Sequence, residues 1–327
     1  MDISCALASS LETPADIEVA EGLGYARAWC YDSPAIYADV WMTLTRAAER
    51  TSTIGLGPAV LVPSLRHPMV NAAAIATLAA LAPGRVAVAM GTGASGRLLL
   101  GHSAVPIAET RRYVMAVRAL LQGGDVEWEG RTIRMVHPAG FVAERAVDVP
   151  ILVAAEGPKA RAMAAEIGDG MLSSRPSSDH DAPGWQAAVA FGTVLDDGED
   201  PGSERVLAAA GHALAGVFHG AYYALGAEAV DGLPGGREWR ASVEAVPVGE
   251  RHLAINEGHL VAPNAHDRAV LHQIAPLLTT LTFSGTAAEL RDRAAALEAA
   301  GATEFIYQPA GPDIPNELER MCRALGR

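Results

Sequence analysis

The sequence predicts a (β/α)8 barrel, in which eight parallel strands alternate with helices. Short apolar runs alternate with segments of helical periodicity along the chain, which is the pattern of successive βαβ units. The pattern supplies eight strands, whereas the competing open, doubly wound sheet rarely needs eight in strict alternation. A length of 327 residues suits this fold, because α/β barrels commonly exceed 250 residues as one domain.

The first half of the chain supplies four predicted strands, each followed by a helix. The strands are predicted over residues 2–7, 26–31, 53–62 and 85–90, and the helices over residues 14–23, 40–50, 69–80 and 107–121. Thr13 and Asp39 are suited to cap helix N-termini, while Pro14 fits a first helical turn and Gly24 a helix end. Pro58 cannot donate to a strand ladder, so the third strand should contain a bulge or kink there.

The second half completes the alternation and adds an insertion. A surface hairpin is predicted over residues 126–135, around Glu129 and Gly130. Strands follow over residues 150–155, 170–173, 188–195 and 305–307, and helices over residues 158–167, 203–225 and 287–300, with a last helix at the C-terminus. Residues 226–280 are rich in Gly, Pro and His, and are predicted to be a helical insertion between strands seven and eight of a single barrel domain.

Composition excludes several classes of partner. A net charge of −13 repels polyanions, so nucleic acid is not an expected partner. No uninterrupted apolar run reaches 18 residues, so no membrane span is expected, and the N-terminus lacks the features of a secretory signal. The three cysteines, Cys5, Cys30 and Cys322, are widely spaced and form no metal-binding pair. We therefore expect a cytoplasmic protein with reduced thiols and no metal.

In a barrel of this class, catalytic and binding groups lie at the carboxyl ends of the strands. The predicted strand ends are residues 6–9, 32–33, 58–62, 91–95, 156–158, 173–175, 195–197 and 308–311. Glycines and polar residues are frequent in these segments. Gly157 and Pro158 open a predicted helix, and free backbone N–H groups at a helix N-terminus can bind an anion. The sequence therefore predicts a site for a small molecule.

Several of these segments resemble the luciferase-like oxidoreductases, and within them the branch that uses the deazaflavin coenzyme F420. The resemblance is strongest to the methylenetetrahydromethanopterin reductases, and it is carried by three segments. Residues 20–33 are AEGLGYARAWCYDS, residues 54–93 are IGLGPAVLVPSLRHPMVNAAAIATLAALAPGRVAVAMGTG, and residues 150–172 are PILVAAEGPKARAMAAEIGDGML. The resemblance implies a TIM barrel, and it covers the chain from end to end, most weakly over residues 226–280.

The resemblance also implies which residues bind the cofactor. A strand-three bulge with a non-prolyl cis peptide bond supports the flavin-like ring in this family, which points to Pro58, Ala59 and Val60 here, with the cis bond at Ala59–Val60. Asp32 and Ser33 correspond to ring-contacting positions. The remaining residues expected near the cofactor follow later strands, with Arg175 and Lys159 also suited to its phosphate: Gly91, Thr92, Gly93, Glu156, Gly157, Pro158, Ser174 and Arg175.

Two departures from the family pattern leave the proton donor open. Many deazaflavin-dependent relatives have His where this chain has Ser33, and the methanopterin reductases tend to have Glu where it has Ala6. Asp32 is then the first candidate acid or base, because burial at a strand end raises a carboxyl pKa. The other candidates are Glu156, Glu257 and His259. In the RHP segment, His67 is expected to cap or pack a helix, and Trp29, Tyr37 and Trp41 to pack in the core or stack on a ligand.

The resemblance favours hydride transfer between F420 and a small organic substrate, such as an imine, an enone or a methylene-pterin. Three alternatives stay open at this point. The chain is otherwise a monooxygenase that uses reduced FMN, a methylenetetrahydrofolate reductase that uses NADH, or a barrel subunit without catalysis. Luciferase-like barrels usually pair, so a homodimer is expected.

Overall fold

Eight parallel strands close into a barrel in the computed structural model, which describes residues 1–177 and 182–326. The strands of the described residues, in chain order, are β1 (Asp2–Leu7), β2 (Arg27–Cys30), β3 (Gly55–Leu61), β4 (Val88–Met90), β5 (Val126–Trp128), β6 (Arg131–Ile133), β7 (Ile151–Ala154), β8 (Gly170–Ser173), β9 (Trp185–Phe191) and β10 (Glu304–Gln308). The order around the barrel is β1, β10, β9, β8, β7, β4, β3, β2, and β5 pairs with β6 in a separate antiparallel hairpin. The predicted fold class is confirmed.

Helices follow most of the barrel strands and fill the predicted insertion. They are α1 (Thr13–Gly22), α2 (Val40–Arg50), α3 (Pro68–Leu81), α4 (Ala94–Leu98), α5 (Ile107–Leu121), α6 (Pro158–Ile167), α7 (Glu204–Ala224), α8 (Gly236–Glu244), α9 (Arg251–Asn256), α10 (Ala265–Ile274), α11 (Leu278–Leu281), α12 (Ala287–Ala299) and α13 (Ile314–Ala324), with 3₁₀ helices at Ala227–Gly232 and Ala275–Leu277. Among the described residues, no helix combines the length and apolar character that crossing a membrane requires.

The chain forms two compact units. The first unit contains Met1–Arg97, His102–Val189 and Leu297–Ile306, and the second contains Leu98–Gly101, Ala190–Ala296 and Tyr307–Arg327. In the second unit, apolar faces of the insertion helices bury Phe218 and Trp239, whose rings stack 5.7 Å apart. Asp267 lies beside them and accepts hydrogen bonds from Trp239 Nε1 and His219 Nε2. The single domain expected from the sequence stays a prediction.

Most predicted elements are confirmed, including a bulge on β3, and two local interpretations are wrong. Thr13 is the first residue of α1 rather than its cap, since its hydroxyl donates to the carbonyl of Ala8 at 2.6 Å. The seventh barrel strand is β9, which begins and ends earlier than predicted, so residues 195–197 do not end it. The predicted bulge on β3 is present as a register shift between Ala59 and Leu61 in the pairing with β4, directly after Pro58, which pairs with Cys30 of β2.

A glycine on β3 sets the spacing between two barrel strands. A Cβ atom on Gly57 would lie 1.9 Å from the carbonyl oxygen of Ala87, which directly precedes β4. No side chain fits there without moving the backbone of one strand. Gly57 therefore allows β3 and β4 to approach, and this fixes the strand that continues into Ala59 and Val60.

A carboxylate clamp fixes the entry to β3. One oxygen of Glu21, at the end of α1, accepts hydrogen bonds from the backbone N–H groups of Ser52, Thr53 and Ile54 at 2.6–3.0 Å. The Thr53 hydroxyl donates to the same oxygen. Burial raises the pKa of Glu21, but these donors outweigh burial and lower the pKa from its ordinary 4.5 to about 2.

We expect Glu21→Gln to lower the free energy of unfolding by about 1–2 kcal/mol at pH 7, because an amide oxygen is a weaker acceptor than a carboxylate. Since the folded-state pKa is depressed, the contribution of Glu21 is present above the unfolded pKa near 4.5 and is lost as the pH falls towards 2. Urea unfolding of both proteins at pH 7 and pH 3.5 should show the gap shrinking with acid. A gap of equal size at both pH values would contradict the clamp.

Candidate functional site

Strand residues near the carboxyl ends form a partly exposed apolar surface in the first unit. Most residues of the barrel strands are buried, but Ala59 and Val60 on β3, Ala154 on β7, Leu172 on β8 and Val189 on β9 are partly exposed. They belong to the last residues of their strands, where this class of barrel binds ligands. The peptide bond between Ala59 and Val60 is cis, as the family resemblance implied.

The glycines after β4 are explained by packing. A Cβ atom on Gly91 would lie 2.9 Å from the Cβ of Ala154 and 3.2 Å from Cγ2 of Val60. Gly93 has a φ of +73°, and a Cβ there would lie 2.3 Å from Cγ1 of Val62. Small residues at these positions therefore let Val60, Val62 and Ala154 close over the strand end. The intervening Thr92 uses its carbonyl to accept a hydrogen bond from the backbone of Val105.

The most buried charge at these strand ends is Asp32, which follows β2. Its side chain is 2% exposed and accepts a 2.5 Å hydrogen bond from Nη1 of Arg66. Burial raises the pKa of Asp32, while Arg66 opposes the rise and Asp39 adds to it. The neighbouring Ser33 is partly exposed, and a Cβ on Gly96 of α4 would lie 3.3 Å from its hydroxyl. Helix α4, which follows β4, thus packs against the segment that follows β2.

A chain of hydrogen bonds holds Arg66 in place. The Tyr113 hydroxyl donates to the carbonyl of Arg66 at 2.8 Å, and the Asn71 amide donates to Tyr113 at 2.8 Å. The indole of Trp41 donates to Asn71 at 3.1 Å. Three helices, α2, α3 and α5, therefore contribute one residue each to fixing the backbone that presents Arg66. The sequence-based prediction did not include Arg66, Asn71 or Tyr113.

The carboxyl ends of β7 and β8 are joined by a polar contact. The carboxylate of Glu156 accepts hydrogen bonds from the backbone N–H of Ser174 at 2.6 Å and from its hydroxyl at 2.8 Å. Glu156 is exposed and acts here as an acceptor, and its predicted catalytic role stays a prediction. Gly157 caps α6 without a side-chain hydrogen bond, and a Cβ there would meet nothing within 4 Å. The N-terminus of α6, which Pro158 begins, is therefore open to an anion.

Basic side chains surround this helix N-terminus. Lys159 in the first turn of α6 and Arg175 after β8 are exposed, and Arg161 donates to the carbonyl of Arg175 at 2.9 Å. Lys159 is the only lysine in the sequence. These charges agree with the phosphate-binding role that the resemblance implied for Arg175 and Lys159, which stays a prediction.

The other two predicted catalytic residues lie in the second unit. Glu257 is exposed after α9. The imidazole of His259 stacks on His219 with centroids 6.3 Å apart. Burial, together with the nearby His219, lowers the pKa of His259 to about 4. The ring is therefore neutral near pH 7 and does not act as an imidazolium proton donor there. A role for either residue in catalysis stays a prediction.

The remaining aromatic and histidine candidates have structural partners. His67 caps α3, since its Nδ1 accepts from the backbone of Met69 at 3.1 Å, which confirms the capping interpretation. Trp29 is buried and donates to Glu304 at 3.0 Å. Tyr37 packs against Tyr31 with ring centroids 5.5 Å apart. Within the described part of the chain, no group of three or more His, Cys, Asp or Glu side chains could hold a metal ion.

Residues 12–304 match the family of luciferase-like monooxygenases, and the chain belongs to this family. It is 32% identical over 157 residues to 5,10-methylenetetrahydromethanopterin reductase from Methanolobus tindarius, covering 47% of each chain. It is 38% identical over 135 residues to F420-dependent glucose-6-phosphate dehydrogenase from Beutenbergia cavernae, covering 39% of this chain and 40% of the relative. The match thus spans about half or less of the length of these curated relatives.

Solved structures show the same fold over the whole length. The coenzyme F420-dependent tetrahydromethanopterin reductase from Methanopyrus kandleri superposes with a TM-score of 0.67 and 22% identity, covering 99% of both chains. An F420-dependent secondary alcohol dehydrogenase superposes with a TM-score of 0.63 and 16% identity, covering 100% of both chains. The monooxygenase RslO1 from Streptomyces bottropensis has a TM-score of 0.62 at 17% identity, covering 99% of this chain and 98% of the other.

Proposed function

We propose that this protein is an oxidoreductase that binds coenzyme F420 and exchanges hydride with a small organic substrate. The observation that carries the proposal is the apolar surface of Val60 and Ala154 beside the Asp32–Arg66 ion pair. Cys30, the last residue of β2, pairs with Pro58 of β3, and Asp32 and Val60 each lie two residues further along the chain, so the carboxylate and the apolar surface lie near the carboxyl ends of neighbouring strands. A flat ring with one polar edge needs both features.

The residues present fit a deazaflavin. The close packing of Val60 and Ala154 over Gly91 offers an apolar face for the ring, and the Asp32 carboxylate can accept a hydrogen bond at its polar edge. The open N-terminus of α6, with Lys159 and Arg175, suits a phosphate-bearing tail. When bound, reduced F420 supplies a hydride as a two-electron donor. That two groups of curated relatives are named for F420 or methanopterin reduction supports the same cofactor.

The substrate's proton has few protein sources at this position. The family resemblance implies that many relatives have His at the position of Ser33 and Glu near the position of Ala6, and neither Ser33 nor Ala6 provides an acid or base there. Asp32, paired with Arg66, is best suited to accept a proton or a hydrogen bond from a hydroxyl or N–H group. A substrate that loses O–H and C–H hydrogens together, or water as the donor in the reverse direction, fits this arrangement. The homodimer and the cytoplasmic location stay predictions.

The test is cofactor binding by the purified protein. Titration with F420 should quench or shift the fluorescence of the coenzyme and raise the melting temperature of the protein, whereas FMN and NADH should do neither. Oxygen uptake in the presence of reduced FMN would instead indicate a monooxygenase. Oxidation of NADH in the absence of F420 would indicate a folate-type reductase. Failure of all three cofactors to bind would overturn the proposal and favour a barrel without catalysis.

A single lysine allows the phosphate end of the proposed site to be tested chemically. We expect F420 to slow reductive methylation of Lys159 by about fivefold or more, since charge pairing at a helix N-terminus makes the amine less available. The deazaflavin chromophore without its phosphate tail should give no protection. Mass spectrometry reports modification of Lys159 against the N-terminal amine in the same sample. Equal protection by both compounds would place the tail elsewhere.

A further inference from the structure

We propose that Arg66 is a positioning residue that keeps Asp32 ionised and oriented for the proposed hydride transfer, so this inference rests on the proposed function. The Arg66 guanidinium bridges two carboxylates, Asp32 at 2.5 Å and Asp39 at 2.8 Å. The two acids differ sharply in surroundings, since the Asp32 side chain is 2% exposed and that of Asp39 is 41% exposed. Arg66 is therefore the charge that compensates the buried member of the pair.

The two arms of the bridge have different structural roles. Asp39 is the N-cap of α2 and accepts from the backbone of Trp41 and Met42, so its position is fixed without Arg66. No hydrogen bond to Asp32 other than that from Arg66 is found among the side-chain contacts of the described residues. Orientation of the Asp32 carboxylate thus depends on Arg66 far more than that of Asp39 does.

The backbone at Arg66 is braced from the far side. Tyr113 donates to its carbonyl, and the chain of hydrogen bonds continues through Asn71 to Trp41. Asn71 is fully buried and Tyr113 nearly so, and both are satisfied by this chain. A surface ion pair would not need this support, because exposed pairs contribute little and tolerate motion. Two buried polar side chains hold this one carbonyl group, which indicates that the position of Arg66 matters.

The charged groups that face Asp32 give the direction of the electrostatic effect. They are Arg66 and Asp39, with the Tyr113 hydroxyl close by and neutral because burial raises its pKa to about 12. Burial and Asp39 both favour the protonated form of Asp32, and Arg66 is the group that opposes them. Removal of the Arg66 charge should therefore raise the Asp32 pKa further and favour the protonated carboxyl group.

The first experiment needs no cofactor. An Asp whose folded-state pKa is raised destabilises the fold increasingly as the pH rises from its unfolded to its folded pKa. We expect Arg66→Gln to lower the melting temperature by about 2–4 °C more at pH 8 than at pH 5. The double variant with Asp32→Asn should lose this pH dependence. Arg50→Gln, which removes the same charge from an exposed pair with Glu18, should show none.

The second experiment measures F420 binding with the same proteins. Arg66→Gln should weaken binding at pH 7 by about 10-fold or more, as expected for loss of a charged hydrogen-bonding arrangement. Because Arg66→Lys restores the charge, its stability deficit should not differ between pH 5 and pH 8. It should restore only part of the affinity for F420, since one ammonium group cannot bridge two carboxylates as a guanidinium does. Tyr113→Phe, which removes only the brace, should shift both readouts in the same direction by less.

The outcomes separate this inference from the proposed function. A stability deficit of Arg66→Gln that is equal at pH 5 and pH 8 would overturn the role of Arg66, whatever binds. Failure of the unmodified protein to bind F420 would overturn the proposed function, while the stability measurements still judge the ion pair. If Arg66→Gln does not fold, Arg66→Lys and Tyr113→Phe are measured instead. Normal F420 binding and an unchanged pH dependence of stability in both variants would then refute the role of Arg66.

Discussion

Replacement of Asp32 by Asn is expected to weaken F420 binding or turnover by about 30- to 100-fold. A hydrogen bond that involves a charged group contributes about 1.5–3 kcal/mol, which corresponds to roughly 10- to 150-fold in an equilibrium constant. Among the described residues, the change also leaves the Arg66 guanidinium, whose side chain is 14% exposed, with the exposed Asp39 as its one charged partner. The volume of the side chain is unchanged, so the effect reports the charge rather than packing.

Asp39→Asn is the matched control, because it removes the same charge from the other arm of Arg66. Its carboxylate is exposed and its amide can still cap α2, so binding should change by less than about fivefold. Fluorescence titration with F420 gives both affinities, and single-turnover rates separate binding from hydride transfer. Affinity and rate within threefold of the unmodified protein for Asp32→Asn would rule out Asp32 as the polar contact of the ring.

The barrel could be predicted from sequence because local signals agree with it. The predicted limits of α2, with Asp39 as its cap, and of α6, which begins at Pro158, match the structure. The limits of β9 could not be predicted, because residues 185–195 are mainly apolar and period alone does not place a buried strand within them. Gly192, which directly follows β9, lies close to the carbonyl of Phe283, and a contact between residues so far apart in the chain has no local sequence signal.

The site was only partly predictable for the same physical reason. Strand order and the resemblance pointed to Asp32, Val60 and Glu156, but the partners of Asp32 are set by tertiary contacts. Arg66 lies 34 residues further along the chain, and Tyr113 another 47. One signal was available: Asn71 is the polar exception on the buried side of the apolar helix α3, and a buried amide needs hydrogen-bonding partners. A buried amide at this position predicts polar neighbours on the helices that pack against α3.

The amino ends of the barrel strands contain a second buried charge, in the first unit and away from the proposed site. Glu304 begins β10, is 3% exposed, and accepts from the indole N–H groups of Trp29 at 3.0 Å and Trp185 at 2.6 Å. The Arg27 guanidinium lies over both indoles, 5.4 Å and 5.0 Å from their ring centroids. Burial lowers the pKa of Arg27, and the charge of Glu304 is the largest influence that opposes this.

We expect Glu304→Ala to lower the free energy of unfolding by about 3–5 kcal/mol. Removal of a buried charge is strongly destabilising when the opposite charge loses its main compensation, and Arg27 would then keep only the weaker influence of Asp2. The two indole N–H groups would also lose their acceptor. Glu304→Gln should cost less, since its amide oxygen can still accept from one indole. Urea unfolding monitored by tryptophan fluorescence and by circular dichroism measures both variants.

Glu298→Ala provides the control for loss of a carboxylate, because Glu298 is 57% exposed and pairs with the N-terminal amine. Its cost should be about 1 kcal/mol or less. The folded fraction of Glu304→Ala should bind F420 with unchanged affinity, because the substitution lies at the amino ends of the strands and leaves their carboxyl ends intact. A loss of stability no larger than that of Glu298→Ala would show that Arg27 finds compensation elsewhere. A selective loss of binding without loss of stability would assign Glu304 to function instead of to the fold.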